Sequence, residues 1–166
     1  MKMIAACDDN YGIGYQNDLL FKIPEDMKNF KELTIDNVVV MGRNTFESMG
    51  CNALPKRINI VITSDYKEYA KSHRNAIICS MDNIDKELDY YDDDEIFIIG
   101  GGRIYNTFIY RCDKIILTQY HRTYENVDTF FPIPEEHGFI KDKVLLSGTH
   151  EDIEFEICSY IKKEDS

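Results

Sequence analysis

The 166-residue chain is 43% hydrophobic and 12% aromatic, and 30 acidic against 19 basic side chains leave a net charge of −11. That apolar content excludes a disordered chain, the longest apolar runs fall far short of the ~18 residues of a membrane span, and the acidic surface repels nucleic acid and anionic membrane. One domain with one sizeable core is expected, in which any polyanionic ligand must be held by a few local cations.

Met3–Cys7 reads as a first strand and is cut short by Asp8-Asp9. So short an apolar segment is no secretory signal, and a cytoplasmic chain is expected. Asp8-Asp9-Asn10-Tyr11-Gly12 hints at a calcium loop, but Ile13 and Leu19 stand where that loop needs glycine and glutamate. A helix follows over Glu25–Leu33, started by Pro24. At about 100° per residue, Ile23, Phe30 and Leu33 fall within roughly 60° of Asp26, while Lys28, Lys31 and Glu32 point away. Asp26 therefore lies inside the apolar stripe. Two readings fit: a first-turn acid favoured by the macrodipole, or a carboxylate kept in a pocket where burial raises its pKa.

Val38–Met41 is a buried strand, Gly42 a turn and Thr45–Met49 a short helix, with Asn44 and Glu47 at capping-box spacing. Arg43 stands at that helix start, where cation and free N–H groups can converge on one phosphate, or it is a plain exposed arginine. Leu54-Pro55-Lys56-Arg57 sets a guanidinium beside a rigid turn, apt for a carboxylate or merely solvated. The strand Ile58–Ile62 ends in Thr63-Ser64, whose hydroxyls suit an anion or a turn with Asp65.

Ala76–Cys79 reads as a strand, Met81–Leu88 as a helix, Asp92–Glu95 as a solvated turn and Glu95–Ile99 as a strand. Gly100-Gly101-Gly102-Arg103 then strips side chains from one piece of backbone before a helix over Arg103–Phe108. Gly102-Arg103 repeats the arrangement of Gly42-Arg43, and two such turns suit a ligand with two phosphate groups. Lys114–Gln119 and Ile153–Ile161 come without a helix between them, which predicts an antiparallel C-terminal pair on a largely parallel sheet. Ligands of such sheets sit beyond the strands' carboxyl ends, so Gly42, Thr63 and Gly100 should edge one cleft. His73, His121, His137 and His150 show no metal spacing, and five scattered cysteines fit reduced thiols.

Taken in order, Ile4-Ala5-Ala6, Gly12-Ile13-Gly14, Asn17, Ile23-Pro24-Glu25-Asp26-Met27, Phe30, Val40 to Ser48, Leu54-Pro55, Arg57, Ile99 to Tyr105, Leu117-Thr118 and Asp128-Thr129 resemble dihydrofolate reductase. The resemblance runs from about Ile4 to Ile157. It implies a single domain over residues 1–166 with an eight-stranded, mostly parallel sheet, an antiparallel C-terminal strand and about four flanking helices. It implies NADPH-dependent reduction of 7,8-dihydrofolate and binding of antifolates; with nothing long and apolar obviously exposed, a monomer is expected.

By that resemblance Asp26 is the acid of the pterin pocket, supported by Thr118. Ile4, Ala5, Met27, Phe30, Met49, Leu54 and Ile99 line the substrate, and Arg57 pairs with its glutamate tail. Ala6, Ile13, Gly14, Asn17 and Leu19 face the nicotinamide half of the cofactor, with Tyr105 beside the ring. Gly42, Asn44, Thr45, Gly100, Gly101, Gly102, Arg103 and Ile104 surround the pyrophosphate, and the Gly100–Gly101 peptide is expected to be cis. Arg43, Thr63 and Ser64 meet the 2′-phosphate. Asp8–Lys22 is the closing loop, latched by Asp128. The chain has no tryptophan. Phe21 stands where the family usually has an indole holding a proton-relaying water, and Leu20 where proline is common. Asp65 adds a repulsive charge near the 2′-phosphate. Two rivals remain: a pyrimidine reductase of the same fold, and a folate-binding protein without activity.

Overall fold

Runs such as Val38-Val39-Val40-Met41 have no polar face, so both sides of the strand need a covering layer. The structure, a computed structural model, describes residues 1–20 and 22–163. In chain order its elements are β1 (Lys2–Cys7), β2 (Gly12–Tyr15), β3 (Asp18–Leu19), α1 (Pro24–Thr34), β4 (Val38–Gly42), α2 (Arg43–Ser48), β5 (Ile58–Ile62), α3 (Tyr66–Ser72), β6 (Ile77–Cys79), α4 (Ile84–Leu88), β7 (Ile96–Ile98), α5 (Gly102–Phe108), β8 (Lys114–Tyr120), β9 (Thr129–Phe130), β10 (Phe139–His150) and β11 (Ile153–Lys162).

Eight strands form one sheet in the order β10-β11-β8-β1-β7-β4-β5-β6. From β8 to β6 every neighbouring pair is parallel. The expected antiparallel C-terminal pairing is present as β8 with β11, Phe155 opposite Tyr120 and Ile161 opposite Lys114. Period-two alternation distributes each strand between two cores. Met3, Val38, Val40, Ile60 and Ile98 face one, with Ile84 and Leu88 of α4 and Phe108 of α5. Ile4, Val39, Met41, Val61 and Phe97 face the other, with Phe46 of α2, Tyr69 of α3 and Phe30 of α1. Val39, Val40 and Met41 are fully buried, about 1.5–3 kcal/mol of hydrophobic stabilisation per side chain.

Several features depart from the sequence expectation. Among the described residues five α-helices flank the sheet rather than about four. The extra one, α3, buries only Tyr69 and so carries no apolar stripe. The strand β10 is also extra; it is exposed along most of its length and its register shifts twice against β11, which erases the alternation a strand search needs. The small sheet β3-β2-β9 is built from strands of two to four residues, too short to show a period. The predicted helix over 81–88 contracts to α4, because Met81, Asp82 and Asn83 form a turn on the cleft. The expected Asn44–Glu47 capping box does not form. The helix starts two residues earlier, at Arg43, with Gly42 as cap, and Glu47 binds Arg43 instead. Among the described residues, no helix is long and apolar enough to cross a membrane.

Candidate active site

Parallel strands place their carboxyl ends on one side of a sheet, where no side chain of the following turn fills the space. Gly42, Thr63, Ser80 and Ile99, at the ends of β4, β5, β6 and β7, all line one cleft there of about 1350 Å³. A pocket for one drug-sized ligand spans roughly 300–1,000 Å³, so this cleft has room for two. Its two ends differ in chemistry.

The acid end is walled by Ile4, Ala5, Ala6, Met27, Phe30, Met49, Leu54 and Ile99. Asp26 enters from the first turn of α1, started by Pro24. Its Oδ1 accepts a 2.5 Å hydrogen bond from Thr118 Oγ1, on the buried strand β8. No cation pairs with Asp26 among the described residues. Burial therefore dominates and raises its carboxyl above the ordinary range, while the Thr118 hydrogen bond opposes the rise. At the far edge, Arg57 donates from Nε to the Pro55 carbonyl at 3.0 Å and from a terminal nitrogen to Thr34 Oγ1 at 3.1 Å. It has no carboxylate partner among the described residues, and partial burial lowers its pKa. Asn59, which the sequence reading passed over, shapes this edge. Its side chain bonds the Leu54 N–H and carbonyl at 2.8 and 2.9 Å and the Arg57 carbonyl at 3.1 Å.

The glycine end is backbone. The Gly100–Gly101 peptide is cis, as expected. Gly100 has φ +121, a left-handed value, and a Cβ there would sit 3.2 Å from the Tyr105 hydroxyl oxygen. The Gly42 N–H donates to the Gly100 carbonyl at 2.9 Å, which joins the two glycine turns. Both following helices, α2 and α5, start on a glycine without a side-chain cap, so their first N–H groups have no side-chain acceptor. Around them stand Arg43, Asn44, Thr45, Thr63, Ser64, Arg103 and Ile104. Tyr105 is buried and its hydroxyl donates to the Ile4 carbonyl at 2.7 Å, tying α5 to β1 between the two ends.

A loop crosses the cleft mouth, with Ile13, Gly14, Asn17, Leu19 and Leu20 on its lining. Asp128 holds it: the Gln16 N–H donates to Asp128 Oδ2 at 2.9 Å, and the Asp128 N–H donates to the Gly14 carbonyl at 3.1 Å. The bond from the Gln16 N–H, with a second from Thr129 Oγ1 to Asp128 Oδ1 at 2.9 Å, lowers the Asp128 pKa. The root of the loop is anchored by Asp8, fully buried, whose carboxylate accepts from the N–H groups of Asn10, Gly12 and Tyr124. Its backbone partners explain the acidic start of that segment without a metal.

The cleft thus gathers every residue the sequence singled out for a site except two. Thr118 stands behind Asp26 rather than on the lining, and Phe21 lies outside the described residues. The sequence reading missed Tyr66, Ser80, Met81 and Asn83, which line the glycine end. Applying the carboxyl-end rule to β6 as well as to β5 would have found Ser80.

A deep cleft at the strand ends, with one acid among apolar walls opposite a glycine cradle, defines an α/β protein built to hold a heterocycle against a dinucleotide. Residues 1–162 match the family model described as dihydrofolate reductase. The dihydrofolate reductase of Bacillus subtilis is 33% identical over 172 aligned positions, covering 100% of this chain and 96% of that protein. That of Buchnera aphidicola from Acyrthosiphon pisum is 39% identical over 138, covering 80% and 78%. The solved dihydrofolate reductase from Enterococcus faecalis, complexed with NADP(H) and RAB-propyl, superposes with a TM-score of 0.82 at 32% identity, covering 98% of this chain and 96% of that one. The chain belongs to the dihydrofolate reductase family of NADPH-dependent oxidoreductases.

Proposed function

We propose that this protein reduces 7,8-dihydrofolate to 5,6,7,8-tetrahydrofolate, supplying one-carbon metabolism and thymidylate synthesis, as a single-domain cytoplasmic monomer. The observation that carries this reading is Asp26, hydrogen-bonded to Thr118 in the apolar end of the cleft, with no cation partner among the described residues. Asp26 bonds the pterin ring N–H and its 2-amino group, two donors that match the two oxygens of a carboxylate. Met27, Phe30, Met49, Leu54 and Ile99 sandwich the flat rings, and Arg57 meets the glutamate tail with the donors left free by Pro55 and Thr34.

The glycine end fits a dinucleotide. A backbone cradle without side chains admits a pyrophosphate, and the first-turn N–H groups of α2 and α5 supply donors without a side-chain cap among the described residues. Thr45, Asn44, Arg103 and Ile104 flank it, while Arg43, Thr63 and Ser64 take the 2′-phosphate. Bound there, NADPH supplies the hydride. Tyr105, its hydroxyl already committed to the Ile4 carbonyl, packs beside the nicotinamide and sets the spacing of the two ends. The Ala6 and Ile13 backbone holds the carboxamide, and closure of the loop over it excludes water from the transfer.

Asp26, its carboxyl raised by burial, retains a proton to higher pH than a surface aspartate. It promotes protonation of the nitrogen of the reduced C=N bond. Purified protein with NADPH and dihydrofolate should lose NADPH absorbance, and a diaminopteridine antifolate should stop the loss. Tight folate binding with no turnover would establish the rival binding protein instead.

A further inference from the structure

Arg43 reaches the cleft from the first turn of α2, and two neighbours hold its guanidinium. Its Nε donates to Glu47 Oε1 at 2.8 Å, one helical turn along. Its guanidinium carbon lies 4.4 Å from the centre of the Tyr69 ring, in α3. Tyr69 is itself fixed. It is buried, its ring stacks on His73 at 3.9 Å, and its hydroxyl donates to the same Glu47 oxygen at 3.4 Å. The Tyr69 ring face beneath it and the Nε hydrogen bond hold the guanidinium at two points. The four terminal N–H donors have no protein partner among the described residues.

We propose that Glu47 and Tyr69 are specificity-determining positioning residues, which hold Arg43 as a preset fork for the phosphate that distinguishes NADPH from NADH. The inference rests on the NADPH reading above. An exposed ion pair contributes little to stability, so the effect of this one lies in orientation. A free arginine loses rotamer freedom when it grips a phosphate, and one already held loses less. Two charges oppose the same phosphate, Glu47 itself and Asp65, the residue before α3. Orientation outweighs repulsion because Nε points its partner away from the terminal nitrogens that a phosphate would bridge.

The test separates orientation from charge. Glu47→Ala should raise the KM for NADPH about fivefold, with the KM for NADH and kcat unchanged. Glu47→Gln keeps an oxygen for Nε and removes the charge, so it should restore most of the preference. Tyr69→Phe keeps the stack and should behave as the parent, whereas Tyr69→Leu should lose preference. Turnover with NADH and the melting temperature report folding for each variant. In an Arg43→Ala background, Glu47→Ala should have no further effect on the ratio of the two KM values. A fall in the NADPH KM in both Glu47 variants would show repulsion to dominate and overturn the proposal. An unchanged ratio in Glu47→Ala, while Arg43→Ala narrows it, would overturn the proposal alone. An unchanged ratio in Arg43→Ala would remove the 2′-phosphate assignment, and the proposal with it.

Discussion

At one end of the cleft the Asp26 carboxylate faces apolar walls and one hydroxyl; at the other, Arg43 and Arg103, the hydroxyls of Thr45, Thr63, Ser64, Tyr66 and Ser80, and two helix starts without a side-chain cap share the space. The acid end concentrates its chemistry in Asp26, whose protonation is governed by burial because no cation among the described residues pairs with it. The glycine end distributes its chemistry over many groups, most of them partly or fully exposed and screened by water. Substitutions should therefore be severe at the first end and graded at the second.

Asp26→Asn is the largest expected effect. Turnover should fall about 10²–10⁴-fold, the usual contribution of a positioned acid, and a loss of only a few-fold would remove the contrast. The same variant should gain stability. Burial raises the folded carboxyl above its unfolded value, so the folded state holds its proton longer, and stability is lost as pH rises through the folded pKa. Asn carries no charge, so its melting temperature should exceed the parent's at neutral and alkaline pH. That margin should shrink in acid, below the ordinary carboxyl range.

Arg57→Leu comes next. Losing one charged contact costs about 1.5–3 kcal/mol, or roughly ten- to a hundredfold in affinity for glutamylated folates. An equal loss with a pterin lacking the tail would place Arg57 elsewhere.

Thr118→Val removes the donor that favours ionised Asp26. The carboxyl should rise further, and the alkaline limb of the turnover profile, where Asp26 loses its proton, should move to higher pH. A shift toward acid would contradict the assignment. Arg103→Ala, exposed at the glycine end, should raise the NADPH KM only about two- to fivefold, as for one screened pair. A hundredfold effect would make the two ends alike.

Much of this arrangement is legible along the chain because it is local. Pro24 starts α1 and the wheel places Asp26 with Phe30, since helical period needs no tertiary information. The buried strands show as β-branched runs, and Gly42 and Gly100–Gly102 mark the two turns that meet at the Gly42 N–H and the Gly100 carbonyl. Elements without a period were not legible: α3 with its one buried residue, bulged and exposed β10, and the turn at Met81–Asn83. The Asn44–Glu47 spacing misled, because Glu47 had a better partner in Arg43.

The sequence by itself determined the strands, the glycine turns and the side of α1 on which Asp26 sits, since backbone sterics and side-chain period act over a few residues. Only the tertiary structure decided that Thr118, 92 positions away, donates to Asp26, that Asn59 shapes the Arg57 edge, and that Tyr69 lies under Arg43. Those meetings depend on the order in which the strands lie side by side, and that order is set by the packing of the whole sheet and its two helical layers.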